Sequence, residues 1–596
     1  MPSYKAPVAD TMFLLTDVFD LQRYENLPRF AEAPIDVVEA VLSEGGKLAE
    51  EVLQPLNLPG DQEGCKRLPD GSVVTPKGFK EAYKAYVEGG WVGISGSPTY
   101  GGQGLPHFVS VAINEYALGA NLAFTMYPGL TKGATDALLA HGDEALKSRF
   151  LPKMTTGEWT GTMNLTESHC GTDLGLLKTR ALRQDDGSYA ISGQKIFISS
   201  GEHDLSENII HLVLARIEGA PAGVKGISLF LVPKILVNDD GSLAERNKVS
   251  CGSIEHKMGI HGNSTCVMNY DSAKGWLVGE ANRGLNAMFV MMNSARLDVA
   301  VQGLAQSEAA YQNAAAYAKE RLQGRSLTGA KEPDKPADPI LVHPDVRRML
   351  LEIRAFNEAA RALMIWAALS LDEAHESPNA AARQTADDRL GLLTPVLKGM
   401  FTDVGFANAV KAQQVLGGHG YVSEWGMEQF VRDARITMIY EGANGIQALD
   451  LVGRKLPKDG GRALTAFFAE ISDFLGQNKD DSALAPYLAP AKTALDQLRQ
   501  ATKWLVENTK LNPENVGAAS TDYLHLFGLT ALAFMWARMA KAVLARQAAG
   551  TSIPELDAKL ALAKFFGDRM LPQAGAHLAK LTSGAETLMA LPAEAF

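Results

Sequence analysis

Cysteine is scarce in this chain: four in 596 residues (Cys65, Cys170, Cys251, Cys266), with no C-x-x-C pair. Such spacing points to neither a zinc site nor a disulfide framework. No metal is expected, and the default compartment is a reducing, cytoplasmic one. Positive charge is not in excess either. A formal net charge of −11 disfavours nucleic acid or an anionic membrane surface as partner. Long apolar runs are missing: the most apolar window, LFGLTALAFMWA (526–537), is closed by Arg538. That is too short to span a bilayer, so it reads as a buried core helix and no integral membrane insertion is expected. Acids interrupt the short apolar run of the opening MPSYKAPVADTMFLLTDVFD, so it does not read as a secretory signal. There is no Gly-x-Ser-x-Gly elbow, no internal repeat and no low-complexity tract. The Gly-rich GISGSPTYGGQGLP (93–106) lacks the third glycine and the strand–turn–helix context of a dinucleotide fingerprint.

What remains is ordinary for a soluble globular protein, with 46% hydrophobic and 21% charged residues, and the length predicts several domains. From 35 to about 158 the apolar spacing is helical, as in IDVVEAVLSEGGKLAEEVL. Near 160 the period shortens: YAISGQKIFIS (189–199), IIHLVLAR (209–216), GISLFLVP (226–233) and STCVMNY (264–270) are β-rich runs split by turn residues. Helical spacing returns from 284. LTGAKEPDKPADP (327–339) and KLPKDGG (455–461) read as connectors. The expected fold class is α+β. An N-terminal helical domain (1–159) precedes an antiparallel β domain (160–282), a helical-bundle domain (283–461) and an additional C-terminal helical domain (462–596).

Several stretches carry candidate chemistry. MNLTESHCGTDLG (163–175) clusters small hydroxyl and glycine residues at a strand end, where they either satisfy turns or meet an anionic or heteroaromatic ligand. SGQKIFISSG places Phe197, Ser199 and Ser200 at another strand end. Arg296 lies in NSARLDVAVQGLA, and Arg321, Gln323 and Arg325 lie in YAKERLQGR; such basic heads are either solvated or suited to phosphate. QQVLGGHGYVSEWG ends a helix with paired glycines, where backbone can pass close to a ligand, and its His419 reads more readily as a satisfied loop histidine. In ITMIYEGANGIQALDLVG (436–453), Glu441 is either a helix-start acid or a base in a partly dry pocket.

Taken in order, YGGQG, NLTESHCGTD, SGQKIFISSG, YAKERLQGR, QVLGGHGY and RDARITMIYEG resemble the acyl-CoA dehydrogenase family, over nearly the whole chain up to about 456. The resemblance implies FAD enclosed by a helical, a β and a four-helix domain, with acyl-CoA as substrate. It implies that Leu165, Thr166, Gly171, Thr172, Phe197 and Ser199 hold the flavin and pyrophosphate. Arg321, Gln323, Gln414, Gly417 and Gly418 would reach the FAD of a neighbouring subunit, so a homodimer is expected. Arg296, Thr172, Tyr440 and Gly442 fall at the substrate, and Glu441 takes the place of the catalytic base. That base would remove the α-proton while the β-hydride passes to flavin N5. The chain departs from the family pattern at Ala443, where threonine is usual, and at Gly445, where a glutamine-type contact is usual.

A block like 462–596 is absent from short family members but present in very-long-chain enzymes and in a group of bacterial dehydrogenases of about this length. PSYKAPVADTMFLL, PLNLPGDQEGC and YEGANGIQALDLVGRKL resemble that bacterial group, which includes the 3-methylmercaptopropionyl-CoA dehydrogenases of dimethylsulfoniopropionate breakdown. The implied substrate is 3-(methylthio)propanoyl-CoA, with a general short- to medium-chain acyl-CoA as the alternative. An electron-transfer flavoprotein is the implied acceptor, and an acyl-CoA oxidase that makes peroxide is the rival reading.

Overall fold

The structure, a computed structural model, describes residues 2–596. The chain forms two compact units: residues 44–298, and residues up to 43 together with 299–596. The expected N-terminal domain is thus cut near residue 43.

In the first unit, α1 (His107–Ala120), α2 (Leu122–His141) and α3 (Glu144–Thr156) precede the sheet. The helix starts are written in the sequence. The Asn121 side chain accepts the Phe124 N–H at 3.0 Å, and Asp143 accepts the Leu146 N–H at 2.8 Å, which satisfies donors that lack intrahelical partners. Gly157, at φ 88°, ends α3 in the left-handed conformation that favours glycine.

A seven-stranded sheet follows, made of β1 (Trp159–Asn164), β2 (Arg180–Arg183), β3 (Tyr189–Ser199), β4 (Asn208–Ile217), β5 (Ile227–Pro233), β6 (Val249–Ile254) and β7 (Thr265–Val278). Their order is β6-β7-β3-β2-β4-β1, and β5 pairs with both β7 and β4. The path β7-β3-β2-β4-β5 therefore closes on itself, so that each of those strands has a neighbour on both sides. The sheet is antiparallel as expected, except that β1 and β2 each run parallel to β4. Alternation along β4 sends Leu212 and Leu214 into one apolar cluster with Phe150, Trp159 and Leu231. It sends Val213 and Ala215 into another with Ile191, Phe230 and Met268, as a period of two requires.

Two fully buried histidines interrupt this core. His203 Nδ1 accepts the Leu205 N–H at 3.2 Å and its Nε2 lies 3.0 Å from Thr160 Oγ1. His211 Nδ1 faces Asn164 at 3.5 Å, and its Nε2 has no partner. Burial, reinforced by the charge of Lys234, pulls both down to about 3.

The second unit is helical. The unit boundary falls within α4 (Gly284–Glu320), after which come α5 (Pro344–Glu376), α6 (Ala380–Val415), α7 (Met427–Thr437) and α8 (Asn444–Asp450). The additional region supplies α9 (Arg462–Gln477), α10 (Ala485–Asn508), α11 (Glu514–Ala548), α12 (Pro554–Phe565) and α13 (Gln573–Thr582). By length and composition α11 could cross a membrane, but 89% of its apolar window is buried inside the unit, the environment expected for residues 526–537. A buried ion cluster explains why the first residues join this unit. Arg361 on α5 donates to Asp10 at 2.6 Å and to Glu308 at 3.2 Å, while Lys559 on α12 contacts Asp10 and Glu358. Burial alone would raise the Asp10 carboxyl; the Lys559 and Arg361 charges override it and hold Asp10 at about 2.

The buried histidines set an acid limit. Below about pH 6.5 the unfolded chain takes up protons that the folded β unit refuses, so stability falls as pH falls, by ~1.4 kcal/mol per pH unit for each histidine. The thermal midpoint should decline steadily from pH 7 to pH 5, and His211→Asn, which cannot titrate, should make the decline shallower. Equal slopes for the two proteins would contradict this account.

Candidate active site

The residues expected at a site fall into two sets, one in each unit. In the β unit, the segment after β1 is tied to β3 at three points. Ile196 N–H donates to Thr166 O at 2.9 Å, and Lys195 Nζ donates to Leu165 O at 2.9 Å and to Glu167 Oε1 at 2.9 Å. Glu167 in turn accepts the Lys178 and Thr179 N–H groups and the Thr179 hydroxyl. Burial would raise the Glu167 carboxyl, but the Lys195 ammonium and these donors outweigh it and hold the group at about 2. Lys195 itself is fully buried, so the loop bearing Leu165 and Thr166 hangs on a charge that cannot be left unpaired. Gly171 and Thr172, further along the loop, are exposed.

Phe197 stands at φ 59° with its side chain 60% exposed. For a bulky residue that backbone is a genuine outlier, and it points to a function rather than to packing. Ser199, two residues on, is half-buried, and its carbonyl accepts the Thr162 hydroxyl at 2.8 Å. Arg296 is buried and donates to Asn293 Oδ1 at 3.3 Å. Nearby in sequence is Asp298; burial raises it to about 7, and Asn114 donates to it at 3.1 Å. Glu167, His169 and Cys170 bring potential ligand atoms within 4.8 Å of one another, but Glu167 is already committed to Lys195.

In the helical unit, Arg321 and Gln323 flank a bridge between Leu322 and Pro339 and are exposed. Arg325 is engaged instead in structure, with Asp338 at 3.2 Å. Gln414, Gly417 and Gly418 are exposed where α6 ends. His419 is satisfied, though it lies in the short helix Gly418–Tyr421 rather than in a loop: its Nδ1 lies 2.8 Å from the Tyr317 hydroxyl and its ring stacks on Trp425 at 4.4 Å.

Glu441 lies in a turn, three residues before α8, with φ 56° followed by 88° at Gly442. It is half-buried, and Ile439 is 50% exposed, so the turn is less dry than its apolar neighbours imply. A left-handed non-glycine residue costs ~1–2 kcal/mol, and three side chains hold it there. Lys398 Nζ, fully buried, donates to Gly442 O and to Asn444 Oδ1, each at 2.8 Å. Gln447 Nε2 donates to Glu441 O at 3.0 Å and Gly442 O at 3.2 Å. Asn444 Nδ2 meets Gly399 O at 3.1 Å, Thr402 Oγ1 at 2.8 Å and Asp403 Oδ1 at 2.6 Å. The N-cap of α8 is Ala443, which offers no side-chain bond; Asn444 anchors the turn in its place. The Tyr440 hydroxyl donates to Gln302, and burial, with the charge of Glu441 adding, pushes its pKa up, so it stays neutral. Sequence reading missed Lys398, Asn444 and Gln447. The one available signal was a lone lysine in the apolar run LLTPVLKGMF.

Residues 72–158, 162–273 and 282–456 match, in turn, the N-terminal, middle and C-terminal domains of acyl-CoA dehydrogenase, and 467–592 match the "Acetyl-CoA dehydrogenase C-terminal like" domain. A 3-methylmercaptopropionyl-CoA dehydrogenase of Ruegeria pomeroyi is 43% identical over 98% of this chain and 99% of its own. The chain belongs to the acyl-CoA dehydrogenase family. A broad-specificity linear acyl-CoA dehydrogenase of Mycobacterium tuberculosis is 35% identical over 96% of each chain. In fold, the chain is similar to an acyl-CoA dehydrogenase of Bacillus anthracis complexed with FAD, with TM-score 0.75 and 20% identity over 97% of this chain and 92% of that one. As an acyl-CoA dehydrogenase the protein is an FAD-dependent oxidoreductase, with the expected helical, β and helical domains and the extra C-terminal helical region. Within the β unit, the exposed ring of Phe197, held at positive φ, is compatible with a planar heteroaromatic group such as a flavin.

Lys195→Met strands the Glu167 charge and should cost ~3–5 kcal/mol, read as a lower thermal midpoint and a lower flavin content. Adding Glu167→Gln, which removes that charge, should recover part of both. A double variant no better than the single one would show that the ion pair does not hold the loop.

Proposed function

We propose that this acyl-CoA dehydrogenase oxidises 3-(methylthio)propanoyl-CoA to 3-(methylthio)acryloyl-CoA with Glu441 as the base. The observation that carries the catalytic part is the strained Glu441–Gly442 turn, pinned by Lys398, Asn444 and Gln447. Two side chains, Lys398 and Gln447, fix the two backbone carbonyls while Asn444 anchors the turn, which favours a carboxylate held in one orientation. The α-C–H of a thioester is a weak acid, so its carbonyl must be polarised as charge develops. Glu441 takes the α-proton and ends as the neutral acid. FAD, when bound, supplies the acceptor for the two electrons that leave with the β-hydrogen. Leu165, Thr166, Gly171, Thr172, Phe197 and Ser199 hold that cofactor in this reading, and Arg296, Thr172, Tyr440 and Gly442 line the thioester. Exposed Arg321, Gln323, Gln414, Gly417 and Gly418 suit a homodimer in which they reach the cofactor of the second copy.

The methylthio substrate is supported by the near full-length similarity to the Ruegeria pomeroyi enzyme. The alternative, a short- to medium-chain fatty acyl-CoA, draws on the Mycobacterium tuberculosis relative and on a butyryl-CoA dehydrogenase of Syntrophomonas wolfei, 33% identical over 100% of this chain and 99% of its own. An electron-transfer flavoprotein is the proposed acceptor. Oxygen consumption with peroxide formation in its absence would favour an oxidase instead.

Two measurements test the reading. Anaerobic bleaching of the flavin across an acyl-CoA panel should be fastest with 3-(methylthio)propanoyl-CoA; faster bleaching by butanoyl- or octanoyl-CoA would select the alternative. Glu441→Gln should keep its flavin yet lose bleaching by about a thousandfold or more, the upper part of the range for a positioned base. Wild-type bleaching in that variant would sink the assignment of the base.

A further inference from the structure

Besides the packing of α11 on α8, a chain of side-chain hydrogen bonds links the additional C-terminal region to the turn that carries Glu441. Asp403 on α6 receives the Asn444 amide at 2.6 Å on one carboxylate oxygen and His525 Nε2 at 3.0 Å on the other. His525 lies on α11, within the stretch that matches the additional domain. Its ring stacks on that of His577 (α13) at 5.4 Å and 12°, and His577 Nδ1 lies 2.7 Å from Asp522, which also takes Lys580 at 2.9 Å. The imidazole is therefore fixed in orientation by its own domain.

Close approach of α6 and α11 makes the contact possible. A Cβ at Gly399 would meet Leu524 Cδ1 at 2.8 Å, and one at Gly528 would meet Met400 Sδ at 2.0 Å. The same Gly399 gives its carbonyl to Asn444 at 3.1 Å. The helix crossing and the anchor of the catalytic turn thus share a residue.

We propose that His525 is a positioning residue for the dehydrogenation, acting on the Glu441 turn through Asp403 and Asn444. The proposal rests on the reading of Glu441 as base. Asp403 can hold the Asn444 amide in one place only if its own rotation is stopped, and His525 is the donor that stops it. Asn444 then presents its oxygen to Lys398, which also donates to the Gly442 carbonyl. Without His525 the carboxylate is free to turn, and the error passes along two hydrogen bonds to the peptide that orients the base.

The test uses the FAD-loaded enzyme and the acyl-CoA that bleaches the wild-type flavin fastest. His525→Ala should slow the limiting rate of flavin reduction by about tenfold, because small misplacements of a reacting group are costly. Flavin content, thermal midpoint and the substrate concentration at half-maximal rate should stay near wild type. His525→Gln, whose amide can still donate to Asp403, should recover most of the rate, which a merely space-filling role would not predict. Asp403→Asn should be slow too, and the double variant with His525→Ala no slower than the slower single one, as for groups that act as a unit. If His525→Ala does not load flavin, the Gln and Asp403→Asn variants carry the comparison. A full-rate His525→Ala, a Gln variant as slow as Ala, or losses that multiply in the double variant would each overturn the proposal. Those outcomes are separable from failure of the base assignment, which is read in Glu441→Gln alone.

Discussion

A buried lysine that must find acceptors is the constraint from which the rest of the candidate site follows. Lys398 has no exposed surface, so its ammonium has to be met inside the protein. It donates to the Gly442 carbonyl and to the Asn444 side chain, both at the end of the left-handed Glu441–Gly442 turn. The hydrogen bonds that this buried charge makes to the turn help to offset the cost of putting Glu441 at positive φ. Gln447 adds a second grip on the same carbonyls from the first turns of α8. The strain is local and the forces that sustain it come from α6 and α8.

The β unit repeats the device with other residues. Lys195, equally buried, reaches across from β3 to the Leu165 carbonyl and to Glu167. Glu167 spends its remaining lone pairs on the Lys178 and Thr179 backbone and on the Thr179 hydroxyl. A loop with glycine and hydroxyl residues at its surface is fixed from beneath by an ion pair. In both units an exposed or half-exposed segment owes its shape to a charge hidden behind it. Burying a charge is a poor route to stability but a good one to a single conformation, since few arrangements satisfy it.

What was legible in the sequence, and what was not, follows from the range of the interactions. The change from helical to strand spacing near residue 160 is local, and the main sheet begins at Trp159. The ordered motifs around Phe197, the 417–418 glycines and Glu441 could be found because each is a contiguous stretch. Lys398 is 44 residues from Gly442, Asp403 is 122 from His525 and Asp10 is 549 from Lys559. No periodicity carries such pairings. The break near residue 43 was invisible for the same reason: Asp10 joins the helical unit through Arg361 and Lys559, not through its neighbours in the chain. The two parallel pairings of β4 also depend on strands brought together from a distance. Ala443 looked like the loss of a contact because only the position itself was read; Asn444, one residue on, carries the anchor.

The added C-terminal helices gain a physical meaning from this view. A helix packed against α6 only through apolar surface could tilt or slide by fractions of an ångström with little penalty, because such contacts are non-directional. The α6–α11 crossing does not have that freedom. Glycines at 399 and 528 leave no slack for either backbone, since each position is already filled by the opposite helix's side chain. The His525–Asp403 bond then adds a directional contact at the same crossing. Packing fixes the distance between the helices, and the hydrogen bond fixes their rotation. On the proposed reading, the region beyond residue 461 acts as a brace behind the base, whose geometry the shorter part of the chain would otherwise have to set by itself.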